Sequence, residues 1–126
     1  MIYGEEQSMI SNQKLLVAIR EIKEITGIDV TLYLPNGKLV AETGGTSEAV
    51  TERISLFAES DIDQIVVDTY TLYKVSMDDN VEYVLCMRDV RPEGLVIGQM
   101  AVCQIRNLLL SFAEKFDRNN FMQNVL

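Results

Sequence analysis

Residues 81–88 read Val-Glu-Tyr-Val-Leu-Cys-Met-Arg. Successive side chains of a strand point to opposite faces, so Tyr83, Leu85 and Met87 share one side while Val84 and Cys86 share the other. Both sides are apolar. A strand of that kind belongs in the middle of a sheet that is covered above and below.

Working outward, Tyr70 to Met77 and Gln64 to Asp68 also read as strands, and the polar turn Asp78-Asp79-Asn80 joins the first of these to the strand at 81–88. Earlier in the chain, Ile28, Val30, Leu32 and Leu34 alternate with Asp29, Thr31 and Tyr33, which is the period of a strand with one buried face. Leu34-Pro35-Asn36-Gly37 then fixes φ at proline and allows a positive φ at glycine, so the chain reverses into a second strand from Lys38 to Thr43.

Three helical patterns surround these strands. The first begins at Ser8 or Ser11 and ends at Thr26, with Leu15, Ala18, Ile19, Ile22 and Ile25 on one face and Gly27 as a left-handed stop. The second follows the loop Gly44-Gly45-Thr46-Ser47, buries Val50, Ile54, Phe57 and Ala58, and stops near Ser60. The third follows the loop from Asp89 to Glu93 and runs from Gly94 to the last residue. The expected fold is a single α+β domain over 1–126 with element order α-β-β-α-β-β-β-α. A five-stranded antiparallel sheet flanked by helices buries these faces economically. PAS and GAF domains and roadblock-type interaction domains share that order, so order alone does not select a function.

Composition narrows the classes. The chain has 126 residues, 48% of them hydrophobic, enough for one core. Its 19 acidic residues outnumber 11 basic ones, so direct contact with nucleic acid or with an anionic membrane surface is not expected. The sequence shows neither a signal-peptide start nor an apolar run judged long enough to span a bilayer, and a cytoplasmic location is expected. Cys86 and Cys103 lie in apolar segments without metal or redox spacing, and both are expected to be buried, reduced packing residues.

Catalytic chemistry finds little support. There is no histidine, which removes the commonest general base and a common metal ligand. The pairs Asp61 with Asp63 and Asp78 with Asp79 fall in loops, where carboxylates keep solvent contact, and neither pair has the spacing of a calcium-binding loop. No enzyme activity, metal or cofactor is expected. Tyr33, Tyr70, Tyr73 and Tyr83 fall in strands, where tyrosine packs at core edges or lines pockets with a polar tip. Arg88 and Arg91 lie just before the long helix, whose Gly94 and Gly98 read either as close packing or as part of a small-anion site at the helix start. The candidate ligand-binding residues are therefore Arg88, Arg91, Tyr73 and Tyr83.

The long helix carries a further pattern. Gly98, Val102, Ile105, Leu109, Phe112 and Phe116 are spaced four, three, four, three, four, the seam of a coiled coil, and Ala101, Leu108 and Leu110 widen the apolar surface. The expected use is a homodimer with this helix and the first helix at the interface. Val102, Ile105, Leu109, Phe112, Phe116 and Phe121 are its candidate contacts. A helix covered by both the sheet and the first helix would be equally apolar.

Several stretches also resemble a known family: ISNQKL (10–15), LYLPNGKLVAET (32–43), SLFAES (55–60), EYVLCMR (82–88), GQMAVCQIRNLL (98–109) and above all EKFDRNNFMQNVL (114–126). They are similar to the N-terminal sensory region of bacterial transcription regulators of the PucR and CdaR, or sugar-diacid regulator, type. The resemblance implies a PAS/GAF-type sensor whose last helix, about 94–126, leads through a linker into a helix-turn-helix output domain that would make the DNA contacts. It supplies no ligand-contacting residues position by position.

Together with these patterns, the resemblance implies a dimeric ligand-sensing module of a bacterial transcription regulator. A small metabolite such as a carboxylic acid would sit between the sheet and the second helix and act through the long one. The alternative is a ligand-free, roadblock-like dimerisation or scaffold domain with a filled interior.

Overall fold

A computed structural model describes residues 10–88 and 91–125, the stretch from 114 onward by its helical backbone alone. The elements follow the expected order: α1 (Asn12–Thr26), β1 (Val30–Tyr33), β2 (Leu39–Glu42), α2 (Glu48–Glu59), β3 (Gln64–Val67), β4 (Tyr70–Met77), β5 (Asn80–Met87) and α3 (Gly94–Val125). They form an α+β domain around a five-stranded sheet of order β2-β1-β5-β4-β3, and every neighbouring pair is antiparallel.

β5 is the central strand because β1 and β4 pair along its two edges, Leu32 opposite Leu85 and Leu85 opposite Tyr73. Partners in register point the same way, so each row of the sheet commits to one face. Val30, Leu32, Tyr73, Val75, Tyr83 and Leu85 face α1 and α3, where they meet Leu15, Ile19, Ile22, Ala101, Val102 and Ile105. Tyr33, Leu72, Val84 and Cys86 face α2 and meet Val50, Ile54 and Phe57. The result is three layers, two helices over one side of the sheet and one over the other.

Local chemistry sets the helix ends. Ser11 accepts from the Lys14 amide at 3.3 Å and starts α1, and Gly27, at φ 76°, ends it by donating to the Lys23 carbonyl at 2.8 Å. Ser47 accepts from the Val50 amide at 3.3 Å and starts α2. At the other end of α2, the Lys74 ammonium donates to the Ser60 carbonyl and sits 5.2 Å from the centre of the Phe57 ring. Ile25 departs from expectation: it is 80% exposed, because it lies in the last turn of α1 at the margin of the stripe centred on Leu15, Ile19 and Ile22.

The β4–β5 hairpin turns at Asp78 and Asp79, with φ of 52° and 68° and Met77 paired to Asn80. Two positive φ values in a two-residue turn suit the strand twist but strain residues with a Cβ, and Asn-Gly is the preferred pair. The double exchange Asp78→Asn, Asp79→Gly is expected to add about 1 kcal/mol. Urea denaturation would show this as a higher midpoint at unchanged slope, and an unchanged midpoint would mean that the turn carries no such strain.

Candidate functional site

The expected ligand residues divide between two places. Arg88 leaves the end of β5 on the α2 side, in the row of Cys86, and its guanidinium lies 5.9 Å from the centre of the Tyr70 ring. Together with Arg91, Thr26, Asp29 and Gly45 they line a cleft of about 370 Å³ at the end of the sheet. Both arginines are exposed. Asp29 is engaged on its own account: Lys23 pairs with Oδ1 at 2.9 Å and the Thr43 hydroxyl donates to the same oxygen at 3.0 Å. These two bonds, Lys23 first, hold its carboxyl below the ordinary range against a small opposing effect of burial.

Tyr73 and Tyr83 do not join that cleft. Both point into the α1/α3 layer, 4% and 5% exposed, and burial, with the nearby Glu82 charge, raises the Tyr83 hydroxyl's pKa. Tyr73 packs beneath α3, where a methyl at Gly98 would overlap its phenol. The small residues of the helix thus serve close packing at Gly98. Tyr73 also borders a separate cleft of about 360 Å³ with Gln64, Gln99 and Arg106. The space between α2 and the sheet, where a metabolite was expected, holds the fully buried Val50, Ile54, Leu72 and Val84.

The seam read from the sequence faces inward. Gly98, Val102 and Ile105 are buried against the sheet, and Leu109 and Phe112 are partly buried against the same cluster. Val102 and Ile105 are therefore core residues rather than contacts for a partner. The side chains of Phe116 and Phe121 lie outside the described residues.

A second stripe runs along the opposite side of α3. Val96, Met100, Cys103, Asn107 and Leu110 repeat the spacing four, three, four, three, and all five are exposed. Val96, Met100 and Leu110 are 59%, 67% and 44% exposed. Beside them a groove of about 490 Å³ separates α3 from α1, bordered by Val17, Ala18, Glu21, Gln104, Asn107 and Leu108. Against expectation, Gly94–Ala113 is long and apolar enough by length and composition to cross a membrane, with mean hydropathy 1.4. A helix with one stripe in a core and another at the surface reaches the same value.

Beside the free edge of β3, Leu56 and Ile62 are exposed around a cleft of about 150 Å³ that Ile65 also lines, and Val66 is exposed on the other face of that strand. The cysteines differ from each other. Burial pushes the Cys86 thiol up to about 12, whereas Cys103 is exposed, contrary to its expected burial, with Asn107 Nδ2 3.8 Å from its sulfur. Asp61, Asp63, Asp78 and Asp79 are all exposed. Among the described residues no group of three or more His, Cys, Asp or Glu side chains could hold a metal ion.

No family model matches the chain, and neither does any curated protein. Among solved structures it is similar to Myxococcus xanthus MglB, with a TM-score of 0.53 and 16% identity over 82% of this chain and 95% of that one. At that identity the likeness speaks for the fold alone.

Proposed function

We propose that the chain is a homodimerisation module of the roadblock-like kind, whose two copies meet through the outward face of α3 with α1 beside it. One observation carries this reading: α3 holds two stripes of coiled-coil spacing, and among the described residues one of them packs in the core while the other is exposed. An exposed, mainly apolar stripe of regular spacing marks a contact surface. The likeness to MglB supports the roadblock-like choice over PAS or GAF, as does the packed α2 side of the sheet.

The stripe is short. It suits a dimer that dissociates on dilution rather than a permanent one. Sedimentation equilibrium from about 1 to 300 µM, the range in which such affinities are read, is expected to show the mass rising from one chain to two. A single-chain mass throughout would overturn the reading.

A second reading is favoured by a different observation, the convergence of Arg88, Arg91 and Tyr70 on one cleft. Two guanidinium groups beside an aromatic ring suit a small carboxylic acid, in keeping with a sensor of the PucR and CdaR kind that would pass its signal to a DNA-binding region. A sugar diacid at about a hundred times its dissociation constant would add about 2.7 kcal/mol and raise the melting temperature by several degrees. The rise should disappear in Arg88→Ala. No rise across a panel of organic acids would leave the module a scaffold, and a rise that survives the substitution would place the ligand elsewhere.

A further inference from the structure

The proposed dimer leaves the direction of the two helices open, and the outward stripe of α3 bears on it. With Val96, Cys103 and Leu110 at the d positions of a heptad, Met100 and Asn107 occupy a. We infer that two copies of this chain pair their α3 helices parallel and in register over residues 96–110, so that Asn107 meets Asn107 and Cys103 meets Cys103 across the two-fold axis. This rests on the dimerisation reading above and makes it specific.

The amide at position 107 favours this direction. In a parallel, in-register pair each a residue faces its own copy, so the two Asn107 side chains hydrogen-bond to each other, a known device for fixing register and a two-stranded state. In an antiparallel pair a residues face d residues, and Asn107 would lie against Val96, Cys103 or Leu110, which offer a buried amide at best a weak sulfur partner.

Charge agrees with a second copy as the occupant. The chain carries a formal net charge of −8, yet the stripe from Val96 to Leu110 contains no charged residue. Of the flanking e and g positions, Ile97, Gln104 and Ser111, with Gln99, Arg106 and Ala113, only Arg106 is charged. In the parallel arrangement it faces Ser111 of the other copy, so no like charges meet. Beyond Leu110 the same spacing reaches Glu114 and Asp117, which would repel their own copies, so the paired segment ends there. Two heptads are short for peptides in isolation. Here each helix is already held on its own sheet, so association orders little new chain.

The native cysteines supply the test. Opposed d positions of a parallel pair bring Cα atoms within the span of roughly 4.4–6.8 Å that a disulfide bridges. Diamide takes up two electrons and two protons from two thiols as the S–S bond forms, and it would be added to the reduced 126-residue chain at concentrations bracketing the dimer midpoint. A covalent dimer on a non-reducing gel is expected, absent in Cys103→Ser, retained in Cys86→Ser and reversed by dithiothreitol. Its yield should follow the dimer fraction measured by sedimentation.

The outcomes separate the two claims. A dimer by sedimentation that gives no Cys103 crosslink would overturn the parallel register and leave the dimerisation module standing. A chain that sediments as a monomer would overturn both. Crosslinking whose yield ignores the dimer fraction would be random collision, and it too would overturn the register.

Discussion

Gly98→Ala is expected to lower the stability of the domain by about 2 kcal/mol, although the same exchange in an open helix raises it by about 1 kcal/mol. The sign reverses because the new methyl would overlap the Tyr73 phenol, which is only 4% exposed and lies between α3 and β4. The phenol borders a cleft, so it can tilt away at the cost of its packing. That relief keeps the expected loss near 2 kcal/mol rather than at the upper end for overpacked cores. The melting temperature should fall by several degrees. In the double variant Gly98→Ala, Tyr73→Leu the two losses should sum to less than the separate values, because the substitutions share one contact. Full additivity, or a stabilised single variant, would show that the helix does not need this close approach.

Met100→Glu should weaken the dimer by at least about 100-fold while leaving the protomer's stability within about 0.5 kcal/mol. Met100 is 67% exposed in the protomer, so the fold loses almost nothing when it changes. In the dimer the substitution removes an apolar contact from each copy and, in the parallel register, sets two carboxylates opposite each other, together worth roughly 3 kcal/mol. Urea denaturation and sedimentation equilibrium on the same preparations check the two halves separately. Val66→Glu is the comparison, because Val66 is 65% exposed on the free edge of β3. If it abolishes the dimer and Met100→Glu does not, the copies meet along the sheet edge instead.

Much of the architecture was readable because its signals are local. Pro35 and Gly37 set the first hairpin, Ser11 and Ser47 cap their helices, and the two-sided apolar strand at 81–88 is the centre of the sheet. The orientation of α3 was less accessible. Two stripes with identical spacing run along it, and periodicity cannot say which one meets the sheet. Gly98 held the clue, since a glycine inside one stripe marks the side of closest approach. An apolar neighbourhood in sequence did not bury Cys103 either, because it falls on the outward stripe. Parity along β5 separates Tyr83 from Arg88, since odd and even positions of a strand face opposite ways. Tyr70 joins Arg88 through the β4–β5 register, which no local pattern specifies.

The contact between Gly98 and Tyr73 also anchors α3 at one end. It lies near the beginning of the helix, and the backbone continues to Val125, about 40 Å further at 1.5 Å per residue. β4, with eight residues, extends only about 27 Å. Among the described residues the packed stripe ends at Phe112, about 20 Å short of Val125 by the same helix geometry. A bend of about 10° beyond Phe112 would carry the far end roughly 3 Å and leave the packing on the sheet untouched.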